Sequence, residues 1–320
     1  MLDVFTAVFV AIATLIPLGL IFAVSMPFIG TLVRYWGNYT PKQGGVRLEG
    51  EATPPPAEND VGYFGMMKRV HRIEGWAGLY KGIMPSLLSM LVAMVVLTPV
   101  FALVAVGSTI LPNGRIYVPP SRAHQELLVP LIAHALSAIP VLLLVPLEIV
   151  TNRAITTPHT LSSFAPGPAL KALLSPAEQA APLKLYLAPG VALSAVLPGL
   201  VIPTLDITWQ LIAPRLPNAL LVLVGLPLVL LGTLVLNPLH VLNTKLTLQR
   251  RGGSEAVALP GDEVLRFRED ADEPPYEGLV DCARCVVREE GWRVLLRAWW
   301  LTALGLGLQL VSQTFVILRQ

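Results

Sequence analysis

One device recurs three times along this chain and limits what it can fold into. An apolar helix of about twenty residues meets a proline, turns amphipathic, and carries a cation seven positions past that proline. The clearest copy runs from Leu236 through Pro238 to Lys245 and Gln249; the others run from Val145 through Pro146 to Arg153 and from Met26 through Pro27 to Arg34. Repetition at intervals near one hundred residues outranks other sequence signals. It implies three related membrane hairpins rather than one soluble domain.

Composition supports the bilayer. The 320 residues are 54% hydrophobic and 14% charged, where soluble domains hold roughly 25% charged residues. Mean hydropathy is +0.64. Segments at 2–34, 83–111, 127–152, 188–213, 218–244 and 298–318 are each long enough to cross about 30 Å of hydrocarbon. An all-α membrane protein of six transmembrane helices is expected. The first segment carries Asp3 where a secretory signal carries a cation, so it reads as a retained helix. The 29 prolines need neighbouring helices to satisfy the carbonyls they free, which points to a packed bundle.

A net charge of +2 gives no ground for a nucleic-acid partner, but its placement is informative. Lys and Arg number 7 in residues 34–81, 3 in 153–187 and 9 in 245–297. The other side has only Arg115, Arg122, Arg215 and Arg319. Such asymmetry fixes an orientation, with both termini on the cation-poor side.

The repeats divide the chain into 1–112, 124–215 and 216–320. Gly62, Lys68, Arg72, Glu74-Gly75-Trp76 and Leu79-Tyr80-Lys81-Gly82 recur 216 residues later as Gly278, Arg284, Arg288, Glu290-Gly291-Trp292 and Leu295-Leu296-Arg297-Ala298. Apolar residues set among cations in 62–74 and 276–290 suggest short helices lying at the membrane interface, where anionic lipid could bind. Residues 41–56 and 252–275 read as mobile linkers rich in Pro, Gly and charge. Residues 154–184 keep little of this pattern, so the loop of the second repeat reads as degenerate, with Tyr186 alone holding the register.

These motifs resemble the mitochondrial carrier family, whose threefold signature is Pro-x-Asp/Glu-x-x-Lys/Arg-x-Lys/Arg followed by Asp/Glu-Gly-x4-aromatic-Lys/Arg-Gly. Glu74-Gly75 with Tyr80-Lys81-Gly82 fits the second half fully, and Asn237-Pro238 through Lys245 is close to the first. The resemblance spans the chain. It implies six tilted helices in three pseudo-symmetric repeats, with Pro27, Pro146 and Pro238 kinking the odd helices around a central cavity. It also implies a matrix-side salt-bridge ring at Ile29, Leu32, Glu148, Thr151, His240 and Asn243. Of these acid and base positions, Glu148 alone keeps its charge. The implied pairs are Ile29 with Thr151, Glu148 with Asn243, and His240 with Leu32, so no ion pair remains. The opposite ring falls at Ala102, Thr208 and Leu318 with Ala105 and Leu211, and is lost too; Asp206 lies two residues out of register.

The same register puts Ser89, Ala195 and Gly305 where carriers of anions present cations, so an anionic substrate loses support. Candidate cavity-lining residues are Ser89, Asp206, Trp209, Gln210, Gln309 and Gln313, although polar residues on membrane helices also serve simply to join helices. Glu148 is either a gate group or half of a hydrogen bond locking two helices. His240 reads as a structural residue before a pH sensor. Arg34, Arg153 and Lys245 are explained by snorkelling to headgroups.

Cys282 and Cys285 lack the second ligand pair a zinc site needs, and no nucleophile, phosphate-loop or metalloprotease motif is present. The chain reads as no enzyme and needs no cofactor or metal. The expected function is transport of a small non-anionic solute, by a monomer in a mitochondrial membrane. Inner membrane is favoured over outer, with the peroxisome a further location. The alternative is a non-transporting outer-membrane member acting in protein insertion, organelle fusion or scaffolding.

Overall fold

The computed structural model describes residues 2–42, 62–107, 109–110, 116–117, 125–158, 166–249, 264–268 and 274–318. The helices are α1 (Leu2–Gly37), α2 (Tyr63–Leu79), α3 (Ile83–Gly107), α4 (Gln125–Thr156), α5 (Pro166–Leu173), α6 (Pro176–Ala180), α7 (Val191–Ile212), α8 (Asn218–Leu248), α9 (Leu279–Glu289) and α10 (Trp299–Leu318). Between α3 and α4, strands β1 (Thr109–Ile110) and β2 (Ile116–Tyr117) form an antiparallel ladder with Thr109 opposite Tyr117. Apart from that ladder the regular structure of the described residues is helical. Four stretches are long and apolar enough to cross a membrane: Gly19–Gly37, Val191–Arg215, Ala219–Leu248 and Trp292–Phe315. Helix α2 and Ile83–Val95, which meet at a 54° bend, pass the same test only when taken together, as a broken span or a re-entrant loop. The protein is an all-α, multi-pass membrane protein.

The three signature prolines sit inside continuous helices. In the turn or two after each, a threonine hydroxyl donates back to a carbonyl four residues earlier: Thr31 to Pro27 O, Thr151 to Leu147 O, Thr244 to His240 O. Such back-bonding suits a helix whose ladder a proline has interrupted. Helices α1, α4 and α8 run to Gly37, Thr156 and Leu248, about a turn beyond the expected apolar segments, because the residues past each cation are buried rather than wetted.

Neighbours follow chain order through α3, α4, α7, α8 and α10, while α1 is held by α2, α8 and α4. Gly37 lets α1 meet α8, since a Cβ there would lie 2.4 Å from Leu248 Cδ1. The main core therefore gathers at the cation-rich end, where Trp36, Ile149, Val191, Val241, Val286 and Val294 converge from six segments.

Two expectations need correction. The second repeat is not featureless: α5 and α6 occupy its loop, and α6 opens on a capping box in which Ser175 and Glu178 satisfy each other's backbone N–H groups. Residues 264–268 of the expected linker are docked. Val264 and Leu265 are buried against Met66, Val70 and Leu79, and Tyr39 N–H donates to Arg266 O at 2.9 Å. Most of the remaining linker sequence, 43–61, 250–263 and 269–273, lies outside the described residues.

Candidate functional site

Helices α1, α4 and α8 each hold a buried cation in the last turn, and each cation finds a glutamate in the loop of its own repeat. Arg34 Nη2 lies 2.7 Å from Glu74 Oε2, Arg153 grips Glu178 through two contacts of 2.7 and 3.0 Å, and Lys245 Nζ lies 2.7 Å from Glu290 Oε1. The three cations are 1%, 3% and 6% exposed. This corrects the snorkelling expectation, because the charges stay inside and are paired. Glu74 and Glu290 are legible from their Glu-Gly signatures. Glu178 is not, since it lies eight residues before Tyr186 where Glu74 lies six before Tyr80, and no glycine follows it.

Burial alone would raise Glu178, but the Arg153 guanidinium and the Ser175 N–H outweigh it and hold the carboxyl below its usual value. The positive-φ glycines Gly75 (68°) and Gly291 (99°) turn the chain just after Glu74 and Glu290, leaving Trp76 and Trp292 on the surface, as interfacial anchors are.

A second set of contacts ties each repeat to the next. Lys81 Nζ donates to Thr157 O and Pro158 O, just past the end of α4. Arg153 also reaches Thr247 O and Gln249 O at the end of α8. Arg297 donates to Tyr35 O and Asn38 O at the end of α1. The ties therefore run from repeat one to two, two to three and three to one. All meet helix C-terminal carbonyls, where orphan acceptors and the helix dipole both favour a cation. Repeat two lacks the cation corresponding to Lys81 and Arg297: Leu187 stands there, 75% exposed, and Arg153 does both jobs.

At the expected matrix-side ring, Asn243 donates to Glu148 (2.5 Å) and accepts from Ser194 at 2.8 Å, joining α4, α8 and α7. His240 stacks on Trp36, with ring centroids 5.7 Å apart and planes 3° from parallel. Thr151 is satisfied within its own helix, Ile29 is exposed, and Leu32 packs on the core. Polar bonds and stacking thus stand where ion pairs would be.

At the other end, Asp206 accepts from Gln309 at 2.7 Å and Trp209 Nε1 donates to Thr314 at 3.0 Å, both from α7 to α10. α8 allows this closeness through two glycines seven residues apart. Trp209 and Leu310 crowd Gly225, while Leu205 and Leu306 crowd Gly232. Trp209 is buried in this seam at 1% exposure and also lines the small pocket beside Asp206. Gln210 is exposed. The Gln313 Oε1 and Ser89 Oγ atoms are enclosed without partners; their helices, α10 and α3, are not close neighbours. The side chains of Ala102, Ala105 and Leu318 lie outside the described set.

Cys282 and Cys285 pack inward from α9. Burial pushes the Cys282 thiol up to about 12, which keeps it protonated. No group of potential metal ligands occurs among the described residues. No family model matches the chain, and no curated protein matches it.

Proposed function

We propose that this protein is a transporter of the mitochondrial-carrier type, with six crossing helices in three repeats, moving a small non-anionic solute by alternating access. The observation that carries this reading is the threefold cation–glutamate pairing at equivalent helix ends, Arg34 with Glu74, Arg153 with Glu178 and Lys245 with Glu290. A buried pair maintained three times makes each hairpin a rigid unit, and three rigid units around one axis can rock about it. The gate positions hold hydrogen bonds and a ring stack in place of ion pairs, so opening should take less energy than breaking a charged ring. That favours uniport or leak over strict exchange.

A mitochondrial membrane, a monomeric state, anionic lipid at α2 and α9, and the absence of catalysis or cofactor belong to the same proposal. The test is flux in vesicles holding the purified protein. Neutral and zwitterionic solutes are expected to equilibrate without a counter-solute, and obligatory exchange of an anion would overturn the reading.

A second reading, a non-transporting outer-membrane member, is favoured by the α7–α8–α10 seam, which pins α7 and α10 together. Protease treatment of intact mitochondria separates the two. Cleavage of the cation-rich loops before the inner membrane is breached would favour insertion, fusion or scaffolding.

A further inference from the structure

Asp206 is an acid in the apolar half of the bundle that no cation answers among the described residues. α7 and α10 contain no Lys, Arg or His, and neither do residues 218–239 of α8. Asp206 Oδ2 accepts from Gln309 Nε2 at 2.7 Å. Among the described residues Oδ1 accepts nothing, and it is not one of the atoms sealed from solvent. One turn along α10, on the face that Gln309 shares at i, i+4, Gln313 presents an enclosed Oε1 with no donor. The pocket beside Asp206 and Gln309 is otherwise lined by Leu205, Trp209, Leu228, Val229, Leu306 and Leu310, with room for about one water-sized group.

Acceptors without donors in an apolar frame call for a compact cation that brings its own N–H groups. A carboxylate held in an apolar frame is costly until something pairs with it. Divalent calcium and magnesium want about six or more oxygens, and Asp206 and Gln313 together have at most three side-chain oxygens. An ammonium head is water-sized and carries three donors. We propose that Asp206, with Gln313, forms a binding subsite for the ammonium group of a zwitterionic or cationic solute. The subsite rests on the carrier reading and narrows it from non-anionic solutes in general to amines.

The test uses the purified full-length chain in detergent, following its unfolding midpoint against ethanolamine, ethylene glycol and sodium chloride. Ethanolamine is expected to raise the midpoint in proportion to the logarithm of its concentration, while the neutral glycol and the salt do not. Asp206→Asn should weaken the ethanolamine response at least tenfold. Gln309→Leu, which keeps the carboxylate and frees its second oxygen, should preserve it. A purely structural hydrogen bond would instead give two destabilised variants with an unchanged response.

Should Asp206→Asn fail to fold, Gln313→Leu takes its place, with a response weakened several-fold. No response in the natural chain, an equal response to sodium chloride, or an unaltered response in Asp206→Asn (or in Gln313→Leu where it stands in) would overturn the proposal. Binding is read here without a membrane. Ethanolamine binding with no flux in vesicles would keep the subsite and remove the carrier reading.

Discussion

Arg153 is the residue on which most of the second repeat depends. Its guanidinium meets both Glu178 oxygens and the carbonyls of Leu173, Thr247 and Gln249. Removing one partner of a buried pair strands the other, which costs about 3–5 kcal/mol. Arg153→Met is therefore expected to lower stability by that amount in thermal unfolding, and Arg153→Lys should recover little, since an ammonium cannot replace the planar fork. Ala298 makes a second case. It holds φ +53° at the position where repeat one has Gly82 at φ +84°, and a left-handed conformation costs an L-residue about 1–2 kcal/mol. The Arg297 carbonyl just before it is held by Trp36 and Asn237. Ala298→Gly should stabilise by up to about 1 kcal/mol. Gly82→Ala should do the reverse, because its Cβ would lie 2.5 Å from Ile155 Cγ1. The three cations could be read from sequence because their spacing from a proline is local. Their burial could not, because it depends on partners 25 to 45 residues away.

At the scale of elements, the long helices were legible from apolar length alone, and the seams between them were not. Asp206 and Gln309 are both visible as polar residues in apolar helices, yet they are joined across 103 residues. Gly225 and Gly232 have meaning only once α7 and α10 lie against one face of α8. Gly232→Val should push Leu205 and Leu306 away and lower stability by roughly 1–3 kcal/mol, as overpacking does; loss of the Asp206–Gln309 contact should show in a crosslinking yield between α7 and α10. The docked 264–268 segment escaped sequence reading because its two anchors, Val264 and Leu265, sit among Pro, Gly and charge. It is also fastened by Arg268, which meets both Glu289 oxygens at 2.9 Å. Those hydrogen bonds hold the Glu289 carboxyl below the usual carboxylate range. A depressed carboxylate contributes stability that is complete above about pH 4.5 and is lost as pH falls through the lower folded value. Amide exchange at residues 264–268 should therefore be slow at pH 7, even after correction for intrinsic rates, and should rise sharply in acid. The rise should be absent in Glu289→Gln, whose segment is already loose at neutral pH.

Across the whole molecule, the contacts at the cation-rich end fall into two kinds with different consequences. The cation–glutamate pairs lie within repeats and can persist through any rocking of one repeat against another. The ties from Lys81, Arg153 and Arg297 to the ends of α4, α8 and α1 lie between repeats, so they must break if that end is to open. A hydrogen bond to a charged group contributes about 1.5–3 kcal/mol, which sets a barrier term of roughly ten- to a hundredfold in rate. If the protein transports as proposed, Lys81→Met should accordingly speed solute flux in vesicles by about an order of magnitude. Repeat two offers the converse experiment. Leu187 occupies the position of Lys81 and Arg297 and is 75% exposed, so a cation there would meet no steric obstacle on its way to the end of α8. Leu187→Arg should add a second tie beside that of Arg153, raise the unfolding midpoint and, on the transporter reading, slow flux. A Leu187→Met control of similar bulk should change neither. If Leu187→Arg instead left flux unchanged while raising stability, the ties would hold the fold without gating it, and the seam on the opposite side would be left to control the opening.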